Sequence, residues 1–474
     1  MKIFKNFIMN SFYQILLIIL PLITAPYISR VLGSKGIGTY SFTVNVVQYF
    51  VIFSILGTIT YGNREIAYYQ NDKHKRSQIF WEINFLSWIT STVTIFLFII
   101  FIMINNLNTS LYLWQGVAIL TSMLDISWYF SGRERFSVIV LRNFIIKIVT
   151  VFCIFIFVKS EKDLIEYIAI MVISGLLGSL SLWPYLKSEI FIPELKKLNI
   201  FRHFKPTLIL FLPTVAVTFY TLINKLLIGK IDSTVHLGFY AQADTILKMA
   251  LSLLTALMTV MLPRISNMYA NGDIKGIKKI TRTTFNLSSG ISIGISTGIS
   301  AIALNFAPFF FGSQFKMVGP ILMIESPLVI AISWNYIFGG QYLLPMNRMK
   351  IYTGSALFGA VTSIVLNLLI IPIFGVIGAT VVTVISELAV CFYQLFNIRK
   401  EFELKPMFFS LWKYLISGVV MFGIVFWMNQ AFQMTIVQLV LQIFVGISIY
   451  FILNIVLKTQ LWLTFSEIIN KIKK

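Results

Sequence analysis

The chain alternates long apolar runs with short polar segments, and this pattern predicts its secondary structure. A transmembrane helix needs about 20 mostly apolar residues. Fourteen runs meet this length, near 7–29, 39–62, 80–104, 111–131, 137–158, 164–185, 206–229, 238–262, 284–311, 318–344, 351–373, 377–397, 408–430 and 434–457. The runs are apolar on every face, whereas barrel strands alternate apolar and polar residues over short segments. We therefore predict an all-α integral membrane protein with about 14 transmembrane helices.

The positions of Lys and Arg predict which side each loop faces. If both termini are cytoplasmic, the inner segments carry 27 Lys and Arg, the outer loops carry 6, and five more fall within spans. Such an excess of basic residues marks the cytoplasmic side. The longest inner loops, 63–79, 186–205 and 263–283, are too short for a soluble domain, which needs at least about 50 residues. We expect both termini in the cytoplasm.

Composition agrees with a lipid environment. Hydrophobic residues make up 57% of the chain, charged residues 12%, and the mean hydropathy is +0.84. These values exclude a soluble enzyme, a disordered chain and a disulfide scaffold. The formal charge of +20 comes mainly from the segments between the apolar runs, so we do not expect nucleic acid as a partner. Cys153 and Cys391 lie inside apolar runs and are interpreted as packing residues.

An internal repeat divides the chain. Gly38 and Gly238 open two spans, and Arg64 and Arg264 close the same two spans, at an offset of 200 residues. A unit of six helices is even, so both copies enter the membrane from one side, as in a parallel repeat. The predicted parts are an N-lobe at 1–185, a cytoplasmic interfacial linker at 186–205, a C-lobe at 206–400, and two further helices with a basic tail at 401–474. The linker mixes apolar and basic residues, which fits either an interfacial helix or an ordinary charged loop.

Sequence patterns of catalysis are missing. The chain has no HExxH, no Walker lysine loop and no GxSxG, and His74, His203 and His236 are far apart. An active site on the outer face would need clustered carboxylates or histidines on a long loop, and the predicted outer loops are short. We expect neither enzymatic activity nor a cofactor or metal ion.

Charges inside the spans are the candidate functional residues. A charge at mid-membrane costs at least about 2.5–3.5 kcal/mol unless it is paired or hydrated. The candidate substrate-binding cations of a cavity are Arg30, Arg142, Lys147, Lys225 and Lys248, and the candidates for ion coupling or pairing are Asp125, Asp244, Glu325 and Glu387. Asp244 and Lys248 are one helical turn apart, so a structural ion pair is an equal alternative. Arg142 and Lys225 lie near helix ends, where snorkelling explains them equally well. A cationic cavity would suit a phosphate or diphosphate.

Two further features have a packing interpretation beside a functional one. Gly290, Gly294 and Gly298 form GxxxGxxxG, which lets helices approach closely. Trp128 lies near a predicted membrane interface, where aromatic residues collect. An alternative role for Trp128 is stacking on the apolar face of a sugar.

Several segments together resemble the polysaccharide repeat-unit flippases of Wzx type, in the multidrug/oligosaccharidyl-lipid/polysaccharide exporter superfamily. They are 26–33 (PYISRVLG), 36–40 (GIGTY), 61–67 (YGNREIA), 125–136 (DISWYFSGRERF), 260–266 (VMLPRIS) and 339–345 (GGQYLLP). The resemblance extends from the first helix to about residue 395. Ser131 and Asn63 stand where this family commonly has Gln and Thr.

The resemblance implies a fold, a function and partners. The fold would be two six-helix lobes in a V shape plus two extra helices, working by alternating access. The substrate would be an undecaprenyl-pyrophosphate-linked oligosaccharide, moved from the inner to the outer leaflet of the bacterial cytoplasmic membrane for surface polysaccharide synthesis. Expected partners are this lipid-linked oligosaccharide, the bilayer, and a polysaccharide polymerase with its chain-length machinery.

Three alternatives remain at this point. A lipid II or teichoic-acid-repeat flippase on the same fold would differ only in the headgroup that it carries. A cation-coupled drug exporter is disfavoured by the two extra helices and by the motifs. A membrane-bound polymerase or acyltransferase would need essential His or carboxylates on outer loops, which the sequence does not show.

Overall fold

The computed structural model describes residues 2–105, 108–194, 196, 198–259 and 261–472, and within these ranges the chain is helical with no β-strand. The all-α prediction is therefore confirmed. The α-helices are α1 (Lys2–Ile55), α2 (Thr58–Tyr68), α3 (Lys73–Asn105), α4 (Thr109–Leu124), α5 (Ser127–Gly132), α6 (Phe136–Phe157), α7 (Leu164–Leu180), α8 (Phe204–Leu227), α9 (Thr234–Thr259), α10 (Met261–Ala270), α11 (Ile274–Phe311), α12 (Val318–Glu325), α13 (Leu328–Asn335), α14 (Met349–Ile398), α15 (Leu404–Phe409), α16 (Trp412–Ala431), α17 (Ile436–Val456) and α18 (Gln460–Ile472). Short 3₁₀ turns lie at Trp183–Leu186, Ile200–His203 and Ser313–Phe315, and π-helical turns at Ile228–Asp232 and Tyr336–Leu343.

Two of these helices are too long for a single crossing and are broken by glycine. α1 has 54 residues and α14 has 50, which at 1.5 Å per residue is at least about 75 Å, against a hydrocarbon core of about 30 Å. Gly33 has φ 64° and Gly375 has φ 55°, in the left-handed region that other residues avoid. α14 therefore contains two of the predicted spans, one on each side of Gly375, and α1 contains the first span and most of the second, which continues into α2.

The remaining predicted spans match single helices or short helices in series. Nine helical segments of the described residues are long and apolar enough to cross a membrane. Other predicted spans are interrupted: the fourth consists of α4 and α5, and the tenth of α12, α13 and the π-helical turn after them. About fourteen crossings fit this arrangement. The sequence pattern did not predict α18, an amphipathic helix after the last span.

The chain divides into two compact units, residues 1–222 and 223–474. In the first unit, one cluster of buried side chains joins α2, α3 and α5 around Phe80, Trp128, Tyr129 and Phe130. α2 carries the 61–67 segment and α5 lies within the 125–136 segment, so these two segments form much of this core.

Trp128 is part of this core and is not available to a sugar. Only 3% of the residue is exposed, and its ring stacks on Phe80 with centroids 5.5 Å apart. A Cβ atom on Gly62 would lie 2.4 Å from the Trp128 ring, and one on Gly132 would lie 2.7 Å from the Asn63 carbonyl oxygen. The two segments interlock through these glycines. The sugar-stacking alternative for Trp128 is therefore wrong.

In the second unit, the glycines of α11 make room for aromatic rings. A Cβ on Gly290 would lie 2.8 Å from Tyr414 of α16, and one on Gly294 would lie 2.9 Å from Tyr450 of α17. Tyr450 also donates a hydrogen bond to the Gly290 carbonyl at 2.5 Å. The packing interpretation of GxxxGxxxG is confirmed for these two positions.

The 186–205 segment does not form an interfacial α-helix. Its described residues before α8 are irregular apart from short 3₁₀ turns, and Pro193 interrupts helical hydrogen bonding. The segment is attached to the first unit at two points: Arg133 and Arg135 bind Glu189, and Arg202 binds Glu82 of α3. The loop interpretation is the one that the structure supports.

Candidate functional site

A cluster of charges lies inside the second unit. Lys225 of α8 donates from Nζ to Asp244 Oδ2 of α9 at 2.5 Å, and Lys248, one turn further along α9, donates to the same oxygen at 2.9 Å. Two ammonium groups therefore share one carboxylate. The two lysines and Asp244 together carry a net charge of +1.

The cluster lies inside the predicted spans. Asp244 is six residues after the start of the predicted span 238–262, or about 9 Å along α9 at 1.5 Å per residue. The hydrocarbon core is about 30 Å thick. At this depth an unpaired charge is costly, which explains why all three side chains find partners.

A fourth ionisable residue lies beside the cluster. Glu325, at the end of α12, is 1% exposed, and within the described chain its Oε2 has no hydrogen-bond partner. It interacts electrostatically with Asp244, Lys225 and Lys248, and it lies beside the hydroxyl of Tyr240. A buried carboxylate with an unsatisfied oxygen is a candidate for taking up a proton or a cation.

A polar network fixes the helices that carry the cluster. Asn224 accepts hydrogen bonds from Ser363 Oγ at 2.5 Å and from Asn367 Nδ2 at 2.6 Å, and it donates to Thr383 Oγ1 at 2.9 Å. Thr383 also contacts the hydroxyl of Tyr240 at 3.1 Å. α8, α9 and α14 are thus joined next to Lys225. Because the side chain of Asn224, the residue next to Lys225, is bound to α14, the part of α8 that carries the lysine is fixed against its neighbour.

The members of the cluster differ in accessibility. The Lys248 side chain is 67% exposed, whereas Lys225 is 13% exposed and Asp244 is 21% exposed. Lys248 can therefore reach a ligand without disturbing its neighbours. Lys225 and Asp244 form the buried part of the site.

Glu387, the remaining candidate acid of this unit, lies apart from the cluster. Its Oε2 accepts a hydrogen bond from Asn335 Nδ2 at 2.6 Å, which joins α14 to α13. The structure thus gives Glu387 a contact that joins two helices.

The candidate residues of the first unit are not gathered in one cluster. Arg30 is exposed, three residues before the Gly33 break. Arg142 donates from Nη1 to the Gly178 carbonyl at 2.9 Å and from Nη2 to Asn143 Oδ1 at 2.6 Å. Asp125 binds the backbone N–H and the hydroxyl of Ser127, at the break between α4 and α5. The hydrogen bonds of Arg142 and of Asp125 therefore stabilise the helices that carry them.

Lys147 differs from the other cations of the first unit. It lies about 16 Å along α6 from the start of the helix and is half-buried. In the part of the chain that the structure describes, no carboxylate lies within ion-pair distance of its Nζ. It is the candidate of this unit that most needs water or a ligand at its side.

Sequence comparison assigns the family. Residues 3–269, more than half of the chain, match the family described as "Polysaccharide biosynthesis protein". The chain belongs to this family.

Two curated relatives of the chain match over most of their length, and a third matches over about half. It is 24% identical over 403 residues to a "Putative O-antigen transporter" of Escherichia coli (strain K12), covering 81% of this chain and 93% of the relative. It is 21% identical over 392 residues to a "Putative O-antigen transporter" of Shigella dysenteriae, covering 80% and 96%. It is 21% identical to a "Probable low-salt glycan biosynthesis flippase Agl15" of Haloferax volcanii, over 49% of each protein.

Solved structures share the fold. "Lipid II flippase MurJ, inward closed conformation" superposes with a TM-score of 0.74 at 16% identity, covering 96% of this chain and 98% of that one. A multidrug resistance MATE family transporter in an inward-facing conformation superposes with a TM-score of 0.66 at 11% identity, covering 81% and 94%. At these identities the likeness concerns the fold alone.

Two charged clusters on the predicted cytoplasmic side of the first unit were not predicted from the sequence. Glu189 is bound by Arg133 and Arg135, and Arg76 donates to its carbonyl at 3.1 Å. Glu82, 0% exposed, accepts from Arg202 at 2.5 Å and contacts His203 Nε2 at 2.8 Å.

No local sequence pattern predicts these clusters, because each cluster joins residues far apart in the chain. The sequence offers one indirect indication. A glutamate at position 82, inside an apolar run, needs a partner.

Proposed function

We propose that this protein is a flippase that moves lipid-linked oligosaccharide repeat units from the inner to the outer leaflet of the bacterial cytoplasmic membrane, for surface polysaccharide synthesis. The observation that carries the proposal is the Lys225–Asp244–Lys248 cluster inside the predicted spans, in a member of the polysaccharide biosynthesis family. The names of the curated relatives, O-antigen transporters and a glycan flippase, support the same substrate class. The substrate that we favour is an undecaprenyl-diphosphate-linked oligosaccharide.

The cluster is chemically suited to hold a diphosphate and to release it. Phosphate oxygens accept charge-assisted hydrogen bonds from ammonium groups. Asp244 competes for the same two lysines, so it holds Lys225 and Lys248 when no anion is bound and takes them back when the anion leaves. This exchange avoids leaving either lysine unpaired inside the membrane, which would be costly. Reversible binding of this kind is what a transport cycle with alternating access requires.

The test is translocation by defined variants. In cells lacking the gene, lipid-linked repeat units should accumulate on the inner leaflet, and the wild-type protein should restore their appearance outside. Asp244→Asn should abolish translocation, because it leaves two ammonium groups without a carboxylate. Lys248→Arg should retain part of the activity because the charge is kept, although the geometry of the phosphate contact changes.

One pattern of results would contradict this proposal. If the Lys225→Gln, Lys248→Gln double variant inserts normally and translocates at the wild-type rate, the lysines have no part in substrate binding. Export of a cationic dye by the wild-type protein without any translocation of repeat units would indicate a drug exporter instead.

The proposed direction of transport depends on sidedness. We propose that both termini and the segment 263–283 face the cytoplasm, on the basis of the 27 to 6 distribution of Lys and Arg. Single cysteines at Lys275, near the start of α11, and at Ser313, after its end, should react with an impermeant reagent from opposite sides of the membrane. Labelling of both from one side would contradict the predicted number of spans.

A further inference from the structure

A basic pocket lies at one end of the second unit, away from the Asp244 cluster. It has a volume of about 390 Å³, which lies within the range of small-ligand sites, about 300–1,000 Å³. Its walls come from α11, α15, α16 and the turn between α17 and α18. The lining residues that matter here are Arg282, Asn286, Ser410, Lys413, Tyr414 and Lys458.

The pocket has a strong surplus of positive charge. Arg282, Lys413 and Lys458 line it, and none of the lining residues that the structure describes is a carboxylate. Arg282 has an ion pair with Glu403 at 3.9 Å, but Glu403 is 82% exposed, and such pairs contribute little. Within the described chain, the ammonium groups of Lys413 and Lys458 have no carboxylate within 4 Å. Three cations facing one space repel each other unless an anion joins them.

The pocket is built on fixed elements. Tyr414, 1% exposed, accepts a hydrogen bond from the Leu461 N–H at 3.1 Å, which ties the start of α18 to α16. Ser410 donates to Asn286 Oδ1 at 2.6 Å, which ties α11 to the segment before α16. Lys458 adopts the left-handed conformation with φ 47°, and this turn brings α18 back beside the pocket. The cations are therefore held by packed helices.

The surroundings of the pocket identify the kind of anion. An exposed apolar side chain belongs to its wall: Leu463 lines it and is 43% exposed. Phe409 and Trp412, next in sequence to the lining residues Ser410 and Lys413, are 76% and 41% exposed. The pocket lies at the ends of α11, α16 and α17 that are predicted to be cytoplasmic. A basic site bordered by apolar side chains at this level matches a lipid, with its phosphate in the pocket and its chains beside the helices.

We propose that this pocket binds the phosphate group of an anionic lipid from the cytoplasmic leaflet, with Lys413 and Lys458 as its principal ligands. A soluble phosphate would share the chemistry of the headgroup but would make no use of the apolar border. The proposal concerns lipid binding and does not depend on the proposed transport function.

The test is lipid retention by the purified full-length protein, measured by native mass spectrometry. The wild-type protein should retain phosphatidylglycerol in preference to phosphatidylcholine. Lys413→Gln and Lys458→Gln should each weaken this retention about five- to tenfold, as expected for the loss of one charge at a membrane surface. The matched control is Lys400→Gln, which removes one exposed charge outside the pocket and should leave retention unchanged.

A charge-preserving variant and a competition with inorganic phosphate complete the experiment. A Lys413→Arg, Lys458→Arg variant should keep the preference for phosphatidylglycerol, and it reports on the pocket even if the glutamine variants fold poorly. Excess inorganic phosphate should not displace the lipid. Displacement by inorganic phosphate would overturn the lipid assignment in favour of a soluble anion. Equal retention by the wild-type protein and the double glutamine variant would overturn the site.

Discussion

At the scale of single residues, Gly62 shows how one missing side chain allows two segments to pack. Its position faces the flat side of Trp128, where a Cβ would come within 2.4 Å of ring carbon. The ring is itself held between Phe80 and the glycine, so it has little room to move. Adding a methyl group to a well-packed core typically costs about 1–3 kcal/mol.

We therefore expect Gly62→Ala to lower the thermal stability of the purified protein by several degrees. The matched control is Gly423→Ala in α16, where no atom lies within 4 Å of the added Cβ. The control should be neutral or slightly stabilising, because alanine favours a helix over glycine. Equal melting temperatures for both variants would mean that Trp128 shifts at no cost.

The charged cluster shows which residue contacts can be predicted from a sequence. Asp244 and Lys248 are four residues apart on one predicted helix, so their proximity follows from helical geometry alone. Lys225 comes from another helix, and nothing in the local pattern indicated that it would reach Asp244. The burial of Glu325 beside them also depends on tertiary packing. The sequence therefore provided the candidate charges, and the fold determined which of them meet.

At the scale of elements, the apolar pattern predicted the helices well because membrane spans are long and uniformly apolar. It left two interpretations open at 186–205, where apolar and basic residues are mixed. This segment takes its conformation from Glu82, Arg76 and Arg133, which lie on other elements. Partners so distant in the chain cannot be inferred from a hydropathy pattern.

His203 attaches the end of this segment to the first unit. Its Nε2 contacts Glu82 Oε2 at 2.8 Å, and its Nδ1 contacts the Tyr61 hydroxyl at 2.8 Å. Since a carboxylate only accepts hydrogen bonds, Nε2 carries the proton and Nδ1 accepts from tyrosine. Burial lowers the pKa of His203, against the opposing effect of Glu82, and the charge of Arg202 lowers it further. The neutral imidazole is thus the form that the folded protein favours.

A lowered pKa in the folded state makes stability depend on pH. The unfolded chain binds the proton more readily, so the contribution of His203 is fully present above the ordinary histidine pKa of about 6.5 and is lost as the pH falls below it. We expect the melting temperature of the wild-type protein to fall between about pH 8 and about pH 5.5. His203→Gln should show a flatter dependence over the same range. His74→Gln, at an exposed position, should keep the wild-type slope, and a wild-type slope in His203→Gln would contradict the assignment.

At the scale of the whole molecule, the question is what drives transport. Glu325 is the candidate for coupling, because it is 1% exposed, has an unsatisfied oxygen within the described chain, and lies beside Asp244 and both lysines. If it gains and loses a proton in each cycle, its charge alters the balance of the cluster and hence the affinity for an anion. Adding a negative charge beside the lysines would favour release, and neutralising Glu325 would favour binding.

This coupling predicts the behaviour of Glu325→Gln, which holds the position permanently neutral. In proteoliposomes, an imposed pH gradient should accelerate translocation of a labelled lipid-linked oligosaccharide by the wild-type protein but not by Glu325→Gln, which should still bind the substrate. Glu387→Gln is the matched control, because Glu387 contacts Asn335 apart from the cluster, and it should keep the response to the gradient. Acceleration of Glu325→Gln by the gradient would exclude Glu325 as the coupling group, since no proton could then be exchanged at that side chain.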